Sequence, residues 1–317
     1  MKMKKILSLT MVSVMALGLV ACGSSSDSSD EEETTAETTA DTEEETEAED
    51  TEEEDTEAEE EEEEEEEASS DLSGSISTNG STSMESVIGA LNEQFMADNP
   101  DVTITYDATG SGTGIEAVLN GTTDIGLASR DLKDEEVEEG LVATTLALDG
   151  IVVIVNEDCP VDDLSLDDIY DIFTGEVTDW SEYGGEGEIA CIGREAGSGT
   201  RDGFESITGT EDLCVLSQEL TSTGAVIEAV NSSSNAIGYA SYSAVEGQEG
   251  IKAVTIDGVE CTEETISDGS YVIQRPFNLV TMEGVELSDV AQAYFDWITS
   301  TEANDIIAEA GAVPVAE

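Results

Sequence analysis

The sequence predicts an α/β fold in which one domain is inserted into another. Three observations carry that expectation. Short β-rich runs alternate with amphipathic helical patterns from residue 75 onward, and the links between them are short. Two apolar extended runs, 151–155 and 277–281, bracket the middle block as a pair of crossing hinge strands would.

Taken in order, residues 75–78 read as a strand and 84–96 as a helix with Val87, Ile88, Leu91 and Phe95 on one face. Asn99-Pro100 stops that helix, and 102–106 alternates as the next strand. A second helix opens at Ile115 and ends at Asn120-Gly121. Residues 124–129 and the wholly apolar 150–155 supply two more strands. From Leu164 the pattern restarts with a helix over 164–173, a strand over 189–193 and a helix over 200–207. A helix at 225–230 and strands at 236–240 and 252–256 follow. Residues 272–273 and 278–282 read as extended, and 290–299 and 303–310 as closing helices. The implied partition is a first lobe of 72–150 plus 276–317 and an inserted second lobe of 151–275.

The N-terminal segment reads differently. Lys2, Lys4 and Lys5 precede an apolar run over 6–20, too short for a comfortable transmembrane helix and right for a signal-peptide core. Residues 1–22 end in Leu19-Val20-Ala21-Cys22, which resembles the lipobox of bacterial lipoproteins, whose cysteine is acylated (palmitate included) and becomes the N-terminus. Residues 23–71 hold 28 carboxylates and no Lys or Arg. Such a segment buries too little apolar surface to offset ordering entropy, so a disordered acidic linker is expected, acting as a tether.

Charge narrows the function. The chain has 76 acidic and 9 basic residues, no histidine, and a net charge of -67. No basic surface exists to replace phosphate counterions, so nucleic-acid binding is excluded. Without histidine, Ser-His-Asp and Cys-His catalysis and His-ligated zinc are excluded too. Cys159, Cys191, Cys214 and Cys261 stay open between free thiols and any of three disulfide pairings. No metal site and no cofactor are indicated.

One loop type recurs three times. Gly80-Ser81-Thr82-Ser83, Gly110-Ser111-Gly112-Thr113-Gly114 and Gly197-Ser198-Gly199-Thr200 each follow an expected strand and open a helix. A helix N-terminus exposes about four unpartnered N–H groups and roughly half a positive charge, and adjacent hydroxyls add donors. Such loops bind oxyanions without a cationic side chain. Arg194, one of only six basic residues beyond the linker, precedes the third loop and adds a planar donor. The loops lack the Gly-Lys-Ser/Thr of a P-loop and the partner acid of a dinucleotide fingerprint, and nothing argues for an enzyme.

These loops, with Asp124-Ile-Gly-Leu-Ala-Ser-Arg130, Leu148-Asp-Gly-Ile-Val-Val-Ile-Val-Asn156 and Arg194-Glu-Ala-Gly-Ser-Gly-Thr-Arg201, resemble the phosphate-binding lipoproteins of bacterial phosphate ABC transporters. Asp171-Ile-Phe-Thr-Gly175, Trp180, Tyr271 and Arg275-Pro276 also match. The resemblance implies a two-lobed class II periplasmic-binding-protein fold that closes on inorganic phosphate. It assigns the ligand to Ser81, Thr82, Ser111, Arg194, Ser198, Gly199 and Thr200, and Ser129 is expected as a further donor. It further implies a receptor held by Cys22 at the outer face of the cytoplasmic membrane, handing phosphate to an ABC permease. A same-fold receptor for sulfate, molybdate or tungstate is the alternative; a phosphate-sensing lipoprotein and a secreted phosphatase-like enzyme are alternatives of another class. One departure stands out: many members carry, after Ala-Ser, an aspartate that accepts the proton of the anion, whereas Ser129 and Arg130 follow Ala128 here. Asp149 is the candidate for that acceptor and Asp131 the second, with serine hydroxyls as a further possibility.

Overall fold

A computed structural model of the chain describes residues 72–316. The expected signal peptide with its lipobox and Cys22, and the expected acidic linker of 23–71, lie outside the described residues.

The chain runs β1 (Gly74–Gly80), α1 (Glu85–Asp98), β2 (Val102–Ala108), α2 (Ser111–Leu119), β3 (Ile125–Ala128), α3 (Asp134–Glu138) and β4 (Leu141–Asn156). It continues through β5 (Asp163–Leu164), α4 (Leu166–Phe173), β6 (Ala190–Arg194), α5 (Gly199–Thr208), β7 (Gln218–Leu220), α6 (Thr223–Asn231) and β8 (Ala236–Ser241). Then come α7 (Tyr242–Val245), β9 (Ile251–Ala253), β10 (Thr255–Ile256), α8 (Glu263–Ser267) and β11 (Gln274–Met282). α9 (Asp289–Ile298), α10 (Asn304–Glu309) and β12 (Val313–Pro314) close it.

The long strand β4 organises the rest. Its first part, 141–150, pairs antiparallel with β11, and 151–155 pairs antiparallel with β8. On one side β1 runs parallel to β2 and β3; on the other β6 runs parallel to β7 and β8. Parallel strands return through crossover helices, which cover the sheet and set the loops after their C-terminal ends along one edge.

Two main apolar cores result. One is built from residues between Ile151 and Ile273, and the other from residues 76–147 and 277–312. The chain therefore passes from one core to the other between Ala147 and Ile151, and returns between Ile273 and Phe277. This is a mixed α/β, two-lobed architecture with two crossing strands. In the core of residues 151–273, Phe204 of α5 stacks on Tyr239 of β8 with centroids 4.1 Å apart, and Phe173 of α4 meets Phe204 edge-on at 4.8 Å. That aromatic stack seats α5 against the sheet.

Some elements differ from expectation. α2 begins at Ser111, four residues early, because the Gly-Ser loop itself winds the first turn. The apolar run at 150–155 is only the end of a 16-residue strand. All four described cysteines are free. Burial, followed by the neighbouring Cys214, pushes the Cys191 thiol up to about 12.

Gly80 closes β1 at φ +144°, and a Cβ there would lie 2.1 Å from the Leu127 carbonyl oxygen. Neither the backbone conformation nor the space tolerates a side chain. Gly80→Ala should cost about 2–4 kcal/mol and lower Tm by roughly 5–10 °C. Scanning calorimetry checks this, and an unchanged midpoint would refute the close approach.

Candidate functional site

Each of the three glycine-hydroxyl loops starts a helix. After β1, Ser81 caps a 3-10 turn leading into α1, its Oγ accepting from the Ser83 N–H at 3.2 Å. After β2, Gly110 precedes Ser111 at the start of α2. After β6, Ser198 caps α5 by accepting from the Arg201 N–H at 3.4 Å. These are ordinary capping interactions; what matters is where the loops meet. Thr109 N–H and Gly110 N–H both donate to the Gly80 carbonyl, at 2.9 and 2.8 Å. Gly112 N–H donates across to the Gly197 carbonyl at 2.9 Å, joining the first loop pair to the third.

The hydroxyls form two buried clusters, linked by the Ser83 N–H bond to Ser81 Oγ and by Arg275 into one set. Ser81 Oγ donates to Ser129 Oγ at 2.8 Å, and Ser129 Oγ lies 3.2 Å from Ser111 Oγ, which also accepts from the Ser129 N–H. Ser83 Oγ shares hydrogen bonds with Thr200 Oγ1 at 2.7 Å and Thr223 Oγ1 at 3.0 Å. Thr82 Oγ1 lies 3.2 Å from Thr223 Oγ1. Every one of these residues is at most 6 % exposed. Gly199 presses into the set: a Cβ there would fall 2.4 Å from Ser111 Oγ and 2.7 Å from Ser129 Oγ.

Thr223 was not singled out from the sequence. It opens α6 behind the cap Ser222, a fourth hydroxyl-bearing helix N-terminus at the same place. Its flanking Thr-Ser-Thr-Gly, residues 221–224, was the available signal; the segment lacks the glycine before the hydroxyls that marked the other three. Ser83 stood in the first loop without being assigned a role.

Two guanidiniums reach this set. Arg194, 1 % exposed, donates from Nη1 to Thr223 Oγ1 at 3.1 Å and from Nε and Nη2 to the two Glu195 oxygens, each at 2.9 Å. Its backbone N–H donates to the Tyr239 hydroxyl at 3.1 Å, so the aromatic stack fixes it. Arg275, which the sequence analysis left without a site role, donates from Nη1 to Thr200 Oγ1 at 2.8 Å and to the Ser129 carbonyl at 3.1 Å.

Asp149 does not stand where a proton acceptor for a bound anion was expected. Its Oδ2 accepts from Arg275 Nε and Nη2 at 3.2 and 3.0 Å, and its Oδ1 from Ser241 Oγ at 2.7 Å and Ser243 N–H at 3.4 Å. Both oxygens are engaged away from the hydroxyl set, so Asp149 acts on it through Arg275. Burial raises its carboxyl pKa above the usual carboxylate range, against the opposing pull of Arg275 and the two serines. Asp131, the second candidate, is exposed and offers its carbonyl to Arg130.

The arrangement suits a compact tetrahedral oxyanion: converging N–H groups and hydroxyls, two carboxylate-braced guanidiniums, and exclusion of water. Among the described residues no group of three or more His, Cys, Asp or Glu could hold a metal ion.

A family model for a PBP superfamily domain matches residues 28–302. The phosphate-binding protein PstS of Bacillus subtilis is 31% identical over 247 residues, covering 75% of this chain and 80% of the relative. PstS of Borreliella burgdorferi is 28% identical over 243 residues, covering 73% and 87%. A Clostridium perfringens structure described as a phosphate ABC transporter substrate-binding protein with bound phosphate is 41% identical at a TM-score of 0.73, covering 76% of this chain and 100% of that one. An ABC-type phosphate transport receptor from Vibrio cholerae is 29% identical at a TM-score of 0.63, with 76% and 100% covered.

The site geometry gives one direct expectation. Ser111 opens α2 and Ser129 follows β3, whereas Gly199 opens α5 on the core of residues 151–273, so a methyl at 199 strains the contact between the two sides and not the packing within either core. Gly199→Ala should weaken inorganic phosphate binding at least about 100-fold, with Tm in the absence of phosphate changed by no more than a few degrees. Isothermal titration and calorimetry check both; near-native affinity would show that this contact is not part of the grip.

Proposed function

The chain belongs to the PBP superfamily and, within it, to the phosphate-binding proteins of phosphate ABC transporters, and on that premise we propose that it captures inorganic phosphate between its two lobes. The single observation that carries this reading is the convergence of four hydroxyl-bearing helix N-termini, two from each side of the hinge, on one buried set with Arg194. Residues 72–150 plus 276–317 make the first lobe and 151–275 the second, with the crossing stretches of β4 and β11 as the hinge.

Ser81, Thr82, Ser111 and Ser129 donate from the first lobe; Ser198, Gly199 and Thr200 donate from the second, joined by Thr223. Arg194 balances the charge of the anion, and Arg275 polarises Thr200 from behind while Asp149 holds it. The protein is a binding protein and not an enzyme. Cys22 is the acylated residue that anchors the mature chain, the acidic linker of 23–71 is its tether, and an ABC permease receives the phosphate. No helix of the described residues is long and apolar enough to cross a membrane.

A fully ionised anion is rejected strongly only where it meets a buried acceptor that it cannot satisfy. With Asp149 turned away, that penalty is missing, and hydroxyl oxygens accept the proton of bound phosphate. Discrimination against sulfate should therefore stay below roughly 10³-fold, well short of the 10⁴–10⁵ that a dedicated acceptor provides. Titration of the full chain with phosphate, arsenate, sulfate and molybdate tests the reading. Phosphate and arsenate are expected to bind, and Arg194→Gln to weaken phosphate by roughly 30- to 100-fold. Absence of phosphate binding, or preference for sulfate or molybdate, would overturn it.

The charge of the chain sets the kinetics. A negative mean field slows encounter with an anion, but it is screened over about 8 Å at physiological salt. Phosphate association followed by stopped flow should accelerate about twofold with added inert salt; a rate that falls would mean a locally positive cleft mouth.

A further inference from the structure

Beyond residue 71 the chain holds only six basic residues, and two of them, Arg130 and Lys133, lie against Asp202 in the first turn of α5. Arg130 is 6 % exposed, and its Nε lies 2.9 Å from Asp202 Oδ2. Lys133 Nζ lies 3.7 Å from the same oxygen, on the exposed side. Arg130 is also gripped from its own side of the molecule. Its Nη1 and Nη2 donate to the two Glu136 oxygens, each at 2.8 Å, and its carbonyl accepts from Asn278 Nδ2 of β11 at 3.0 Å.

The two partners of Arg130 therefore differ in kind. Glu136 belongs to α3, in the same lobe, and travels with Arg130 whatever the hinge does. Asp202 sits in the first turn of α5, three residues after Gly199. Of the two, only the Arg130–Asp202 contact breaks when the lobes part, so of Arg130's ion pairs it alone can favour the closed state over the open one. The contact atoms, Arg130 Nε and Asp202 Oδ2, have no well-directed hydrogen-bond partner, so their attraction is coulombic. A cavity of about 290 Å³, lined in part by Arg130, Asp202, Gln274 and Arg275, runs beside it.

We propose that Arg130 and Asp202 form an interlobe latch, with Lys133 as its outer member, that sets the rate at which bound phosphate is released. The inference rests on the reading that the lobes close on phosphate. The latch touches no ligand atom; Asp202 is a positioning residue that holds the N-terminus of α5 against the first lobe. Because encounter happens with the lobes apart, the latch acts on release and leaves association unchanged. Removal of Asp202 leaves Arg130 paired with Glu136, so no buried charge is orphaned.

Stopped-flow measurement on the full chain, with inorganic phosphate, tests this through Asp202→Asn, Asp202→Glu and, as a control lining the same cavity, Glu211→Gln. The expected result is release about 5- to 20-fold faster in Asp202→Asn, from a pair intermediate between exposed and buried. Association should stay within about twofold, Asp202→Glu should partly restore slow release, and Glu211→Gln should behave as the parent. Release from the parent should also quicken between about 0.02 and 0.5 M salt, and that of Asp202→Asn should respond less. Unchanged release in Asp202→Asn, or equal loss in association, would overturn the latch while leaving phosphate capture intact. Failure of the parent to bind phosphate would instead remove the reading beneath it. Should Asp202→Asn fail to fold, the salt dependence of the parent and Arg130→Lys decide, and salt-independent release in both would end the proposal.

Discussion

Asp149 and Arg275 sit opposite one another in the β4–β11 ladder, at the point where the chain leaves one core for the other. Both side chains are essentially sealed from water. Burial drives the carboxyl pKa up and the guanidinium pKa down, and each charge resists the other's shift. Such a pair adds little over a well-packed apolar one, but losing one partner leaves a buried charge alone at a cost of about 3–5 kcal/mol. What the pair contributes is position. Arg275 is fixed by Asp149 and by Phe277, whose ring lies 5.4 Å from the guanidinium carbon. From there Nη1 reaches the Ser129 carbonyl of one lobe and the Thr200 hydroxyl of the other. The strand crossing and the hydroxyl set thus share one side chain.

This economy follows from the composition. With 48 acids and six bases beyond residue 71, a site built from cationic side chains would have drawn its charges into neighbouring carboxylates. Arg194 shows the effect: two of its donors are already held by Glu195. Peptide dipoles at helix N-termini cannot be neutralised in that way, because their partial charge belongs to the backbone. Hydroxyls complement them, since each can donate or accept as the ligand requires. The hydroxyl set is also mutually hydrogen-bonded when the lobes meet, so its polar atoms are not left unpaired in the closed arrangement.

Much of this was legible in the sequence, and the reasons for the rest are physical. The long amphipathic helices and β-rich runs announced themselves by period, and the glycine-hydroxyl loops by the backbone chemistry that a helix start imposes. α3, α7 and α8 have only four or five residues, too few for a period to show. Thr223 escaped because its helix start has no preceding glycine, and Arg275 because a strand residue gives no sign of which loops its side chain will reach. The contacts of Asp149 were hidden for the same reason. Its place beside a hinge strand was readable, but the direction of its carboxylate depends on Arg275, 126 residues away.

The displacement of Asp149 from the anion to the hinge bears on how a receptor of this kind can vary. An acceptor aimed at the ligand tunes selectivity but costs desolvation in every state of the site. An acid aimed at Arg275 has a fixed partner, so its burial is offset whether or not an anion is bound. The position after Ser129 is then free to carry a cation, and Arg130 occupies it. A carboxylate there would face Asp202 and Glu136 and repel both, opposing the approach of α5; a guanidinium attracts both. Exchanging an acceptor for Arg130 thus replaces chemical discrimination within the site by electrostatic attraction between the lobes around it, which suits a highly acidic molecule that must bring two negative bodies together.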